Sequence, residues 1–386
     1  MRPLKKTTIK LIQTHFAAMP DPRVQRTRRH ELMDILVISL AAILSGADTW
    51  PQVEEFGRAK RKCLRQFLKL PHGIPSYDTF RRVFEALNPV VFERCMIQWT
   101  LALSQDLAGE VVALDGKTLR RSFDRWSEQN PLHLVSAWAS EAGLVLGQVA
   151  TENKSNEITA IPQLLDLLDV AGATVTIDAM GCQKEIARKI IEKKADYALA
   201  VKDNQPKLHE DVRRILDEAR TPGRAGECSY YQTTEKGHGR LETRKVWCTK
   251  TDGRLWQGQQ DQEWAGLRSV ALVESHRTVN GVTSVECRYY ISSRSGTEAF
   301  SAKHLAHIIR AHWGIENRLH WVLDMAFDED RCRVRRGHGA RNLATLRKIA
   351  LNPLRRETQT KLSVPGKRRK AGWDEEYLLK VLVGGN

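Results

Sequence analysis

Residues 174–202, TVTIDAMGCQKEIARKIIEKKADYALAVK, change period twice. Thr174, Val175, Thr176 and Ile177 are β-branched and suit a pleated surface. Beyond Asp178, Ile186, Ile190 and Ile191 recur at helical spacing, with Lys184, Glu185, Arg188 and Lys189 between them. Residues 195–201 read as a second strand. Strand, helix and strand at this spacing predict parallel neighbours joined by a crossover. Asp178 then stands at the carboxyl end of a strand, where open α/β sheets place their ligands. An aspartate there is equally suited to cap the following helix.

The chain has 386 residues, enough for two or three domains with a sizeable core. Residues 35–44 form the longest apolar run, too short to span a bilayer, and the first residues lack a secretory signal pattern. Seven cysteines are scattered without a CxxC pair, which argues against a disulfide framework or a zinc knuckle and predicts a reducing cytoplasm. The net charge of +15 is uneven. Residues 1–30 hold eight Lys and Arg against Asp21, and residues 331–370 hold fourteen against Glu357. Two basic ends on a near-neutral body predict a polyanion partner, nucleic acid first. No GxGxxG or Walker motif points to an ordinary nucleotide-dependent enzyme.

The pattern divides the chain. Residues 1–105 read as a helical N-terminal domain, with helices over 30–44, 77–87 and 91–103. From 110 the character changes to α/β. A short strand, 110–114, ends at Asp115; strands 133–139 and 144–151 follow, then a helix over 158–168 and the opening segment. Residues 207–300 hold one helix and then a β-rich insertion with strand-like runs at 244–249, 269–274 and 287–292. Strong helical periodicity returns over 303–326. Residues 351–386 form a basic tail with a short helix over 374–383, and Pro353 is expected to kink or end the helix that contains it.

Asp115 and Asp178 end the first and fourth strands of one predicted sheet, and those strands can lie side by side. Adjacent carboxylates repel unless a cation is present. Oxygen-only ligands suit Mg²⁺, and a pair of such ions serves phosphodiester chemistry. Glu316, in AHWGIENRLHWVLDMAFDED, is the candidate third acid, with His312 and His320 at i−4 and i+4 on one helical face. That spacing also permits a zinc site, though HExxH is absent, or two core histidines.

The runs ALDGKTLRRS, TENKSNEITAIPQLL, TIDAMGCQKEIA, AVKDNQ, EKGHGRLETR and HWGIENRLHWVLDMAFDEDRCRVRRG occur in this order. Together they resemble the DDE transposases of bacterial insertion sequences, in the branch that includes the H-repeat-associated proteins of Rhs elements. MPDPRVQRTRRHELMDILVISLAAILSGADTWPQVEEFG and GIPSYDTFRRVF resemble that branch's associated N-terminal domain. The likeness runs on to the terminal GWDEEYLLKVLVGG. It implies an α/β ribonuclease H-like catalytic domain over 110–350, with a β-rich insertion and a preceding helical domain. Its acidic triad falls by motif on Asp115, Asp178 and Glu316. The Tyr-x2-Arg-x3-Glu-x6-Lys signature of related transposases meets Ile309, His312, Glu316 and Leu323 here, so only the Glu matches. The HWxxEN pattern is the one the closer branch shows.

The resemblance implies metal-dependent cleavage and strand transfer at element ends, with two Mg²⁺ ions and Mn²⁺ tolerated. It also implies double-stranded DNA as partner, a homo-oligomer on DNA, and a cytoplasmic, nucleoid-associated location. Lys117, Lys202, Arg240, Arg333, Arg335 and Arg336 are the expected phosphate contacts, with Asn204 and Gln205 as lesser candidates. Two other readings share these residues: a nuclease of the same fold that cuts without joining, and an inactive relic that only binds DNA.

Overall fold

The structure, a computed structural model, describes residues 8–104, 106–123, 130–151, 157–221, 228–237, 239–251, 264–294 and 301–383. Helices come first: α1 (Thr8–Phe16), α2 (Leu32–Leu44), α3 (Trp50–Ala59), α4 (Arg61–Leu64), α5 (Tyr77–Ala86) and α6 (Pro89–Leu103). Then come β1 (Val111–Thr118), β2 (His133–Ala139), β3 (Leu144–Thr151), α7 (Glu157–Leu167), β4 (Thr174–Ile177), α8 (Lys184–Glu192), β5 (Asp196–Val201) and α9 (Pro206–Ala219). Strands β6 (Cys228–Gly237), β7 (Arg240–Lys250), β8 (Ser269–Val279) and β9 (Val282–Ser292) lead to α10 (Ala302–His312) and a π-helical turn, Ile315–His320. The last elements are α11 (Trp321–Phe327), α12 (Gly339–Arg356), α13 (Val364–Trp373) and α14 (Glu375–Val383).

These elements form two compact units. The first takes the described residues of Met1–Asp106, Gly116–Asn156 and Glu316–Asn386; the second takes those of Leu107–Asp115 and Glu157–Ile315. The compact units therefore differ from the divisions at about 105 and 350 that the sequence pattern predicts. The N-terminal helices share their unit with the β2–β3 hairpin and the C-terminal helices, because α12 covers their apolar faces.

In the first unit, α2 is apolar on every side and is buried from Asp34 through Leu44, as a helix without a polar face must be. α12 packs against α2, α5, α6 and β3. Its polar side chains tie it to each of them. Asn342 Nδ2 donates to Phe84 O and Leu87 O, carbonyls at the end of α5, at 2.8 and 2.9 Å. Asn352 pairs both polar groups of Val145 in β3, accepting from its N–H at 2.9 Å and donating to its carbonyl at 3.0 Å. Lys348 donates to Gln148, whose amide donates on to Glu93 of α6 at 2.9 Å, and Arg341 grips Glu93 with two bonds of 2.8 and 2.6 Å. The entry to α12 requires glycine: Gly337 has φ +52° and a Cβ there would lie 2.6 Å from Glu85 O.

Pro353 does not end this helix, which continues to Arg356. A proline so near a C-terminus removes one intrahelical bond, and Pro353 is buried, as are Leu351 and Leu354. The predicted tail is likewise structured, as α13 and α14, with Ser363 capping α13 by accepting from Gly366 N.

In the second unit the hydrogen-bonded order is β1-β4-β5-β9-β8-β7-β6. β1, β4 and β5 are parallel, with Val111 opposite Thr174 and Thr174 opposite Asp196. β9 joins β5 antiparallel, and β9 to β6 form a meander. The β-rich segment thus extends the central sheet. Its inner face, Val246, Cys248, Ala271, Val273 and Tyr290, packs against Leu305, Ile308 and Ile309 of α10. The polar sequence of β6, CSYYQTTEKG, does not predict a strand, and six of its ten residues are exposed at a sheet edge. No helix among the described residues is long and apolar enough to cross a membrane.

Replacing Asn342 by Leu would leave two helix-end carbonyls buried without donors. We expect a loss of about 1–3 kcal/mol in urea unfolding; a change below about 0.5 kcal/mol would mean α12 is held by apolar packing alone.

Candidate active site

The first two acids share a level in the sheet. Pairing of β1 with β4 ends at Leu114 opposite Ile177. Asp115 and Asp178 are the next residues after this pair, so each follows the last paired residue of two adjacent parallel strands. β1 runs on to Thr118, which corrects the expectation that it stops at Asp115. β4 does stop, and Asp178 is exposed.

Asp178 also caps the turn that follows it. Its Oδ1 accepts from Met180 N at 3.0 Å and Gly181 N at 3.4 Å. A Cβ on Gly181 would lie 2.2 Å from a methyl of Ile177, so the turn is too tight for any side chain. Asn204 and Gln205, expected as lesser DNA contacts, brace this loop. Asn204 Nδ2 donates to Ala179 O at 2.7 Å, and Gln205 Nε2 donates to Cys182 O at 3.0 Å. Lys202 is exposed immediately after β5, at the same carboxyl edge of the parallel strands.

α10 closes on β4 through His312, whose Nδ1 shares a 3.0 Å hydrogen bond with Thr176 Oγ1. Burial pushes His312 down to about 4 despite the opposing pull of Asp178. The imidazole is neutral at physiological pH and adds no cation beside the acid. Glu316 lies in the π-helical turn of the first unit and is exposed. The wide turn breaks the 3.6-residue period on which a shared face for His312, Glu316 and His320 depended. His320 has its own surroundings: burial, then the charges of Lys348 and Lys117, push it down to about 3. Cations around an imidazole oppose a zinc site there. Among the described residues, no group of three or more His, Cys, Asp or Glu side chains is placed to hold a metal ion.

Lys117, an expected phosphate contact, is engaged by carboxylates of its own unit. Its Nζ bonds Asp324, lies 3.0 Å from Glu329 and 4.0 Å from Asp330, and is 3.5 Å from His320 O. Burial disfavours its charge, but Glu329 and Asp324 outweigh that and hold the ammonium above its usual range. Glu329, wholly buried, is pushed up by burial yet ends below the usual carboxylate range because Lys117, Lys348 and Arg347 surround it. The run FDED signals this cluster only weakly in sequence, since it follows a helix without any period.

The other predicted cations separate. Arg240 begins β7 beside the β6–β7 turn and pairs with Glu242 at 2.7 Å. Arg333 and Arg336 are exposed, while Arg335 donates to Arg121 O at 3.1 Å and lies over Phe123. The basic C-terminal stretch is partly internal. Arg347, Lys348, Lys367 and Arg368 are buried, and Arg341 is paired with Glu93. Arg331, Arg333, Arg336, Arg356, Lys361 and Arg369 face solvent.

Two expectations follow. Lys117→Met would strand a buried carboxylate cluster and should cost about 3–5 kcal/mol in chemical unfolding. Wild-type stability with weakened DNA binding would instead restore the phosphate role. His320 has a native pKa below its unfolded value near 6.5, so the native state binds fewer protons, and stability falls as pH drops from about 6.5 toward about 3. Urea midpoints measured from pH 7.5 to 4.5 should fall less steeply for His320→Gln than for wild type; equal slopes would refute this.

Comparison with known proteins gives the family. Residues 13–100 match the family described as DDE_Tnp_1-associated, and residues 106–352 match the Transposase DDE domain. The chain is 41% identical over 379 residues to "Putative transposase YncI" of Escherichia coli O157:H7, covering 97% of this chain and 95% of that one. It is 38% identical over 383 residues to "H repeat-associated putative transposase YhhI" of Escherichia coli strain K12, covering 97% and 98%. A piggyBac transposase synaptic complex with hairpin DNA aligns with 98% of this chain and 78% of that one, at 10% identity and a TM-score of 0.40, too low a likeness to argue from. With both parts of the chain matched in order and relatives similar over nearly its whole length, this protein belongs to the DDE-domain transposase family.

Proposed function

We propose that this chain cuts DNA at the ends of an insertion sequence and joins the freed ends to a target, with Asp115, Asp178 and Glu316 as its acidic triad. The observation that supports the reading is the register of β1 and β4: Asp115 and Asp178 each follow the last paired residue of these adjacent parallel strands, in a chain of this family. The parallel β1-β4-β5 strands, the β2–β3 hairpin and the helix that bears Glu316 support a ribonuclease H-like core.

The donor set fits a hard divalent cation. Asp115 and Asp178 are oxygen donors that follow the last paired residues of adjacent parallel strands, Asp178 is exposed, and the neighbouring His312 is neutral. Two Mg²⁺ ions, when bound, would supply Lewis-acid stabilisation of the attacking and leaving oxygens. Asp115 and Asp178 would hold them from the sheet, and Glu316 would complete the set from its turn. The tight Asp178–Gly181 turn, braced by Asn204 and Gln205, fixes one ligand before substrate arrives. Phosphoryl transfer asks little covalent chemistry of the protein beyond such positioning.

Lys202, at the carboxyl edge of the sheet, and exposed Arg333 and Arg336 are the phosphate contacts we propose, with Arg240 and Arg335 in supporting positions. DNA is the partner, and synapsis of two element ends would require a homo-oligomer on it.

The test is nicking and joining of labelled DNA that carries the element's own end. Wild type should yield metal-dependent nicks and joined products that EDTA abolishes. Asp178→Asn should bind the same DNA within about twofold but lose cleavage by a factor of about 10³ or more, the scale of electrostatic transition-state terms. Nicks without joined products would indicate a nuclease. Binding without cleavage by wild type would indicate an inactive relic.

A further inference from the structure

The turn that carries Glu316 is gripped by side chains of its own unit. Ile315–His320 is π-helical, one residue wider per turn than an α-helix. A wide turn running into α11 leaves backbone carbonyls without their usual i+4 donors. Cations lie against carbonyls of this segment. Arg355 Nη2 donates to Arg318 O, and Lys117 Nζ lies 3.5 Å from His320 O. At the far end of α11, Arg368 Nη1 donates to Ala326 O, and its guanidinium also bonds Ile43 O at 2.9 Å and Asp48 at 2.8 Å.

The grip on the π turn has a fixed anchor. The side chain of Arg318 donates to Ser140 O at 3.2 Å, in the turn that follows β2. Arg355 lies over the ring of Trp138 in β2, 5.0 Å from its centroid, and Trp138 is wholly buried. The turn is therefore fastened to the tip of the β2–β3 hairpin twice, once by its own side chain and once through Arg355. A half-buried guanidinium beside a second arginine is costly unless its donors are used, and here one is used on a carbonyl two residues from Glu316.

We propose that Arg355 is a positioning residue for Glu316: by holding Arg318 O at the β2–β3 hairpin it fixes the wide turn, and with it the direction in which the Glu316 carboxylate leaves the helix. Arg318 completes the clasp from the other side. The inference rests on the reading of Glu316 as the third acid of the triad, but the clasp itself is independent of catalysis.

Hydrogen–deuterium exchange of the full-length protein, read by mass spectrometry, tests it. Arg355→Met should speed exchange of peptides covering 315–327 by about tenfold, the scale of one charged hydrogen bond, while β6 to β9 stay unchanged. Arg355→Lys, which keeps one donor, should restore most of the protection. Arg318→Gln, a change at an exposed position, should loosen the same peptides, which keeps the test available if Arg355→Met fails to fold. On element-end DNA, Arg355→Met should nick more slowly and need more Mg²⁺ for half-maximal rate at unchanged DNA affinity, with Arg355→Lys partly rescuing both. Unchanged exchange over 315–327 in both variants, or acceleration spread evenly through the first unit, overturns the proposal. A wild type that never nicks overturns the catalytic reading and leaves the exchange result to be judged alone.

Discussion

The parallel pairing of β1 with β4 is the constraint on which the candidate site depends. Four residue pairs, Val111–Leu114 against Thr174–Ile177, set the register. Because side chains alternate faces along a strand, a slip of one residue would turn Asp115 and Asp178 to opposite faces of the sheet. Apolar burial protects that register: Val111, Val112, Ala113, Leu114, Val175 and Ile177 are all in the core. The two aspartates are thus placed by the hydrophobic strands that precede them. The tight turn at Gly181 and the braces from Asn204 and Gln205 finish the job on one side.

Positive charge has two different uses in this chain. A basic stretch in sequence suggests a solvated surface for phosphate, yet much of residues 341–368 serves the interior. Arg341, Lys348, Lys367 and Arg368 bond glutamates, an amide and helix-end carbonyls of their own unit. Arg368 bonds carbonyls at the ends of α2 and α11, where the helix dipole and unpaired oxygens favour a cation. Lys117 pairs with the carboxylates of Asp324 and Glu329 and lies 4.0 Å from that of Asp330. Buried ions of this kind add little net stability over apolar side chains, but they penalise any arrangement that separates the partners. Within residues 331–370, Arg331, Arg333, Arg336, Arg356, Lys361 and Arg369 remain exposed.

Much of the architecture was legible in the sequence. The β-α-β period of 174–202, the three strands before it and the helical first hundred residues appear where local patterning predicts them, because each element's apolar spacing matches its own geometry. Asp115 and Asp178 stand out in the same way, as acids that follow apolar strand residues. The misses share one cause. β6 is a polar edge strand whose only reason to be a strand is β7. Pro353 sits in a helix that tertiary packing continues past it. Lys117, Asn204 and Gln205 look like free polar residues until their partners, brought from 20 to more than 200 positions away, are known.

Motif, period and charge are local properties, so they are enough to single out Asp115, Asp178 and Glu316 as candidates and to give their order along the chain. Only the tertiary structure decided which of those residues meet. It placed Asp115 and Asp178 at one level, withdrew Lys117 into an ion cluster, and widened the helix at Glu316 into a π turn held by Arg355. Hydrogen bonds and ion pairs between distant segments leave no period in the chain, because either partner alone would look the same on a solvated surface.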